Sequence, residues 1–276
     1  KMYALIGQWI LYYELSQWQP QIVQTVLPFA DLFGRVLARL AGAPTIVSVI
    51  ATRNTDKFPF HFYLDRLTAP LVDLYIVKSR QLILFATQYE GASLEKILDI
   101  PNGISSTNSS PDFIRAKARM KYLVNGVKIL GVVARLTLQK GHRDLLNAFA
   151  EVILSYPNTR LWIIGDGALR HSLEWQAKQL GIDSQVVFWG ERADVPELLA
   201  TLDIFVHPSL WEGMPNAVME AMAAGRPVVC SSFPPMPEFG GDAVSYFNPR
   251  KPSDLATKVS QVLDDPSFSL SLGERA

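Results

Sequence analysis

Asp203-Ile-Phe-Val-His-Pro-Ser-Leu-Trp-Glu212-Gly-Met-Pro-Asn-Ala-Val-Met-Glu220-Ala-Met-Ala-Ala-Gly225-Arg-Pro-Val-Val-Cys230 is the stretch that decides the fold. Its first residues read as a buried strand running into a loop. The residues after Pro215 read as a helix ending near Gly225, and Pro227 to Cys230 as a second buried strand. Glu212 therefore stands in a loop at the C-terminal end of a strand, and Glu220 on the helix that the loop opens. In an open α/β sheet ligands bind at that end of the strands. The ordinary reading of a lone helical glutamate is a solvated residue. Here Val218, Met219, Ala221, Met222 and Ala223 flank Glu220, so the sequence predicts a partly buried carboxylate that needs donors. A vicinal diol such as a ribose offers two hydroxyls at a fitting spacing.

The same alternation runs outward in both directions. The second half predicts strands at Lys128–Ala134, Arg160–Ile164, Val186–Trp189, Ile204–His207, Pro227–Cys230 and Val244–Phe247. Between them the pattern predicts helices at Arg143–Ser155, Leu169–Leu180, Asp194–Ala200, Pro215–Ala224 and Ser253–Leu263. The first half predicts strands at Ile22–Thr25, Thr45–Ala51 and Leu74–Lys78, and a short one within Asp99–Ile104. Its helices fall at Asp31–Leu40, Phe62–Leu71 and Gln81–Tyr89, the last with Ser79 as N-cap. Repeated β-α units with apolar strands mean parallel sheets covered on both faces. Ser105–Pro111 is rich in Ser, Asn and Thr without periodicity and is the linker candidate, followed by a polar helix at Asp112–Tyr122. The expected organisation is residues 1–104, a linker and polar helix over 105–126, and residues 127–276, with a cleft between the two larger parts.

Composition sets outer bounds. The 276 residues carry 26 basic and 26 acidic side chains and 49% hydrophobic residues, enough for one large or two ordinary cores, with no basic excess to suggest a nucleic-acid partner. A single cysteine, Cys230, excludes an intrachain disulfide and suits a reducing compartment. No run of 18 apolar residues occurs. Met2 to Trp18 is aromatic and aliphatic with almost no basic residues, which argues against a membrane-surface helix and for one packed on a sheet.

A second constellation lies at Arg135-Leu-Thr-Leu-Gln-Lys140-Gly141, between a strand and the next helix. A guanidinium, an ammonium and a helix N-terminus converging there would suit a diphosphate; the plain alternative is a solvated basic loop. Metal chemistry finds no support: there is no Asp-x-Asp pair, and His61, His142, His171 and His207 are scattered. Gly165-Asp-Gly167 invites a dinucleotide reading, but Arg170 stands where the fingerprint needs glycine. His207, at a strand end, reads as a structural hydrogen-bonder and is left out of the site. In the loop before the Glu220 helix, Pro215 has no N–H, so the amides of Met214 and Asn216 are the expected donors, and Gly213 permits close approach.

The Glu-x7-Glu stretch with Ala-Met-Ala-Ala-Gly-Arg-Pro-Val-Val behind it resembles the donor-site signature of the retaining glycosyltransferases of family four (group 1), GT-B enzymes that use nucleotide-diphosphate sugars. The resemblance spans about Pro20 to Asp265 and is strongest from Lys128 to Val229. It implies two Rossmann-like domains with the N-terminal one incomplete, and a chain truncated at both ends. It implies that Arg135 and Lys140 bind the donor phosphates, that Glu212 contacts the sugar as the catalytic carboxylate, and that Glu220 holds the ribose. Gly213, Met214 and Asn216 complete the expected donor site. The turn Gly190-Glu-Arg192 occupies the place where the family reads the nucleobase, with Arg192 a weak candidate. Family members need no metal or other cofactor. The implied reaction is retaining hexosyl transfer to a glycan or lipid-linked acceptor, in the cytoplasm and at most peripheral to the inner face of the membrane. The chain departs from the pattern where Gln24-Thr-Val-Leu27 and Thr52-Arg-Asn54 replace histidine-bearing turns. An inert donor-binding fragment and a GT-B nucleotide-sugar epimerase are the alternatives.

Overall fold

The computed structural model describes residues 2–52, 59–104, 111–124 and 126–275. The chain divides into two compact units, Lys1–Asn102 and Gly103–Ala276. The linker candidate over residues 105–110, and Arg53 and Asn54, lie outside the described residues.

The first unit runs α1 (Met2–Trp18), β1 (Ile22–Val26), α2 (Pro28–Leu40), β2 (Thr45–Ile50), α3 (Pro59–Thr68), β3 (Leu74–Val77), α4 (Arg80–Tyr89) and β4 (Ile97–Asp99). Its strands form one parallel sheet in the order β1-β2-β3-β4. Helix α1 packs against α2, seating Leu15 in the core, while Trp9, Ile10 and Trp18 are exposed. Beneath α2 lies a buried polar knot. Asp31 pairs with Arg35 and accepts from Thr25 and from Ser48 (2.7 Å), and Asp65 stands 3.5 Å from Arg35. Charges so deeply placed survive only when paired and hydrogen-bonded. Two sequence expectations shift here. The short strand is β4, which meets the expected Asp99–Ile104 only at Asp99. Ser79 occupies the N-cap position of α4 with extended backbone, but its buried hydroxyl makes no cap hydrogen bond.

The second unit runs α5 (Pro111–Lys121), β5 (Lys128–Val133), α6 (His142–Ser155), β6 (Thr159–Ile164), α7 (Arg170–Gln179), β7 (Val186–Gly190), α8 (Val195–Thr201), β8 (Ile204–His207), α9 (Asn216–Ala223), β9 (Val228–Ser231), α10 (Met236–Gly240), β10 (Val244–Phe247), α11 (Pro252–Asp264) and α12 (Pro266–Arg275). Its parallel sheet has the order β10-β9-β8-β5-β6-β7. Alternate strand residues feed two cores. Leu130, Val132, Leu161, Ile163, Ile204, Val206 and Val229 face α6, α7, α11 and α12. Ile129, Trp162, Ile164, Phe205, Val228 and Cys230 lie in the opposite core with residues of α8, α9 and α10. This is the period-2 pattern of a sheet covered on both faces. The polar helix α5, read from sequence as part of the linker region, packs on α8 within this unit. Its Arg115 and Arg119 donate to Asp203 at 2.8 and 3.1 Å. Burial pushes the Cys230 thiol up, as expected of an inert core cysteine.

Strand order fixes where a ligand belongs. From β5 the chain moves one way through β6 and β7, then returns to the other side of β5 for β8, β9 and β10. The order reverses between β5 and β8, and at such a switch point the loops leaving the two strands part to form a crevice.

Candidate functional site

The loops leaving β5 and β8 carry most of the residues singled out in the sequence. The β5 loop turns into α6 through Gly141, whose φ is 67°, and a Cβ placed there would lie 2.0 Å from the Pro208 carbonyl oxygen. Only glycine allows both the left-handed backbone and this approach. The two loops are further joined by the Leu210 amide donating to the Gln139 carbonyl at 2.7 Å and by Gln139 Nε2 donating to the Trp211 carbonyl at 2.7 Å.

Lys140 and Glu212 meet across this seam. The Lys140 ammonium donates to Glu212 Oε1, and the Ser209 hydroxyl donates to the same oxygen at 2.9 Å. His207 Nε2 lies 3.6 Å from it. Glu212 Oε2 has one long contact, from Gln139 Nε2 at 3.4 Å. The side chain of Glu212 is 9% exposed. Burial alone would raise its carboxyl; His207 and the Lys140 ammonium act against that and hold it at about 2. Burial pushes the His207 ring below its ordinary value, Glu212 opposing and Lys140 reinforcing. His142, the first residue of α6, is also buried; its ring is held down at about 3 by burial, then by His207 and Lys140, and neither nitrogen has a hydrogen-bond partner among the described residues.

Arg135 follows β5 and is exposed, without a side-chain partner among the described residues. Its backbone is set from behind. Gly165 lies so close to Ala134 that a Cβ would fall 2.1 Å from the Ala134 carbonyl oxygen, and the Leu136 amide donates to the Asp166 carbonyl at 2.9 Å. The Gly165-Asp-Gly167 pair thus has a packing task, supporting the loop that carries Arg135.

Gly213 is buried, Met214 half-buried and Asn216 exposed, with Pro215 at the N-cap of α9. Glu220 departs from expectation: it is exposed and has no side-chain partner among the described residues. The helix is apolar in composition but buries Val218 and Ala221, leaving Asn216 and Glu220, one turn apart, on the outer face. These two border a cavity of about 430 Å³, otherwise lined mainly by apolar residues including Ile104, Ile114, Pro196 and Leu199. Arg192 is held by Asp194, to which its Nε and Nη2 donate at 2.8 and 2.7 Å.

Sequence reasoning read His207 as a structural hydrogen-bonder outside the site and singled out neither Ser209 nor Gln139. The one signal is position: His207 ends β8 and Ser209 follows it within the decisive stretch. Among the described residues no group of three or more His, Cys, Asp or Glu could hold a metal ion, and no helix is long and apolar enough to cross a membrane.

Comparison with known proteins gives a consistent result. The family model described as glycosyl transferases group 1 matches residues 115–276, more than half of the chain. The UDP-Gal:alpha-D-GlcNAc-diphosphoundecaprenol alpha-1,3-galactosyltransferase of Escherichia coli is 29% identical over 235 residues, covering 80% of this chain and 60% of its own. The 2-deoxystreptamine glucosyltransferase of Streptomyces kanamyceticus is 26% identical over 274 residues, covering 91% of this chain and 70% of its own. The chain thus spans about two thirds of the length of these relatives. In fold it is similar to Anabaena HepE, solved in complex with UDP, at a TM-score of 0.83 and 22% identity over 96% of this chain and 75% of that one. Sucrose-phosphate synthase of Thermosynechococcus elongatus aligns at 0.80 with 19% identity over 95% and 69%. The two parallel-sheet units are therefore Rossmann-like domains of the GT-B kind.

Proposed function

Because the chain belongs to the group 1 glycosyl transferases, we propose that its second unit binds a nucleotide-diphosphate sugar and that the protein transfers the sugar, with retention, to a glycan or lipid-linked acceptor. The observation that carries this is the meeting of Lys140 and Glu212 at the β5/β8 switch point, with the unpaired Arg135 on the same β5 loop.

In this reading the diphosphate takes Arg135, Lys140 and the amides around Met214 and Asn216, which together meet charge building on the departing phosphate. Glu212, ionised at neutral pH, accepts from a sugar hydroxyl through Oε2. Glu220 accepts from the ribose at the rim of the apolar cavity. No step needs a metal, and no other cofactor is involved. The polyprenol-linked substrate named for the Escherichia coli relative supports a lipid-linked acceptor. UDP bound to the Anabaena neighbour supports a uridine donor. Such an acceptor would bring the protein to the cytoplasmic face of a membrane as a peripheral enzyme.

Calorimetric titration with UDP, GDP and ADP in EDTA tests the donor site. One nucleotide should bind, more weakly to Arg135→Ala and Glu220→Ala. A folded sample that binds none of the three, or that binds only with added Mg²⁺ or Mn²⁺, overturns the corresponding part of the proposal. Anomeric NMR of the product of turnover then separates retention from inversion.

A further inference from the structure

We propose that His207 is a positioning residue for Glu212, placed to take over its Oε1 when a diphosphate draws Lys140 away. The inference rests on the donor-site reading above.

Lys140 has two claims on it. It is the counter-charge of Glu212, and it is the ammonium expected on the donor phosphates. A diphosphate flanked by Arg135 carries more charge than one carboxylate, so the ammonium shifts toward it. Glu212 is too buried to be left with a hydroxyl and one long amide contact, because an unpaired buried carboxylate is costly.

His207 meets the need. Its Nε2 is 3.6 Å from Oε1, just beyond a hydrogen bond, and neither ring nitrogen has a hydrogen-bond partner among the described residues although the residue is 1% exposed. A buried ring with both nitrogens unsatisfied calls for an explanation. The ring is held in place, stacked on Phe205 with centroids 6.3 Å apart and planes at 18°. The Ser231 hydroxyl ties down the backbone on both sides of Pro208, donating to the Ser209 carbonyl at 2.5 Å and the His207 carbonyl at 3.4 Å. A displacement of a few tenths of an ångström by Glu212 closes the Nε2–H···Oε1 bond. Carboxylate and ring then lock each other: the carboxylate selects the Nε2–H tautomer, and the ring fixes Oε1 so that Oε2 faces the sugar. His207 itself touches no substrate.

A double-mutant cycle on nucleotide affinity tests this, with UDP, GDP and ADP as probes and His207→Leu made in the native and the Glu212→Gln backgrounds. In the native background His207→Leu should weaken the nucleotide that binds by about tenfold, the worth of one hydrogen bond to a charged group. In the Glu212→Gln background the same change should stay within about twofold. His207→Gln, whose amide reaches the position of Nε2, should restore most of the loss, whereas the shorter His207→Asn should not. If the leucine variant does not fold, the asparagine–glutamine comparison replaces it in the cycle. Equal losses in both backgrounds, or none in either, overturn the proposal while leaving the donor site intact. An unsubstituted chain that binds no nucleotide overturns the donor-site reading and this inference with it.

Discussion

Gly141 and Pro208 touch backbone to backbone, so close that a side chain on Gly141 would have its Cβ 2.0 Å from the Pro208 carbonyl oxygen. Lys140 precedes the first of these residues and His207 the second. The seam between the β5 and β8 loops is thus what brings Lys140 to Glu212.

Gly141→Ala should therefore do more than strain one turn. The left-handed φ of 67° costs a non-glycine residue about 1–3 kcal/mol. The clash is with a carbonyl rather than with a flexible side-chain end, so the loops must also part. The expected outcome is a loss of about 3 kcal/mol or more in urea unfolding. Where the variant still folds, nucleotide affinity should fall too, which calorimetry reads. A stability and affinity equal to those of the unsubstituted chain would show that the seam is dispensable.

Glu212 should leave a signature in acid. Its carboxyl is lowered from 4.5 to about 2, so the folded state binds its proton less readily than the unfolded chain. The resulting stability is fully present above about pH 4.5 and is lost as pH falls through about 2. Its size is about 3 kcal/mol, from 1.36 kcal/mol per tenfold change in proton affinity. Urea midpoints between pH 6 and pH 2 should fall more steeply for the unsubstituted chain than for Glu212→Gln. Lys140→Met should raise the acid midpoint of this transition, since it removes the ammonium that opposes burial. Parallel curves for all three proteins would rule out the pair as a determinant of acid stability.

Arg135 and Glu220 should behave in the opposite way. Both are exposed, and neither has a side-chain partner among the described residues. Arg135→Ala and Glu220→Gln should stay within about 0.5 kcal/mol of the unsubstituted stability, as surface changes away from special features do. In the proposed donor site each should still weaken nucleotide binding. The Arg135 variant should also show a shallower salt dependence, because one screened charge contact is gone. Unchanged affinity with unchanged stability would reduce both to ordinary surface residues.

The contrast between these pairs shows what the sequence makes legible. Strands such as Lys128–Val133 and Val228–Ser231 are readable because burial on both faces leaves nearly continuous apolar runs. The site's location follows from the same pattern, since Glu212 and Arg135 each come just after such a run. The burial of individual carboxylates is not readable. Glu220 sits among alanines and methionines yet faces out, because a narrow stripe, Val218 and Ala221, suffices to seat α9. Glu212, in a polar-looking loop, is nearly enclosed by partners remote in sequence or of neutral appearance: Lys140, Ser209, His207 and Gln139. The helices α10 and α12 are absent from the expected elements, and Pro237 and Pro266 stand in their first turns, where a missing N–H costs nothing.

Asp203 offers a control at the other end of the same strand. It precedes β8, whereas Glu212 follows it, so the two acids lie toward opposite ends of the strand. Arg115 and Arg119 donate to the Asp203 carboxylate, and so does the Ile129 amide at 2.7 Å. These bonds fasten α5 to the strand ends, and Arg119 also donates to the carbonyls of Thr201, Val124 and Val127. Asp203→Ala would leave both guanidinium groups without their carboxylate and one strand amide without its acceptor. The expected loss is about 3 kcal/mol, at the lower end for a broken part-buried pair because Arg119 keeps its carbonyls. Nucleotide affinity, measured well below the lowered melting temperature, should stay as it was, since Asp203 touches the N-terminal ends of β5 and β8 and the donor-site loops leave their C-terminal ends. A variant that loses affinity while remaining folded would mean that the two ends of β8 are coupled, and that fastening α5 is part of building the donor site.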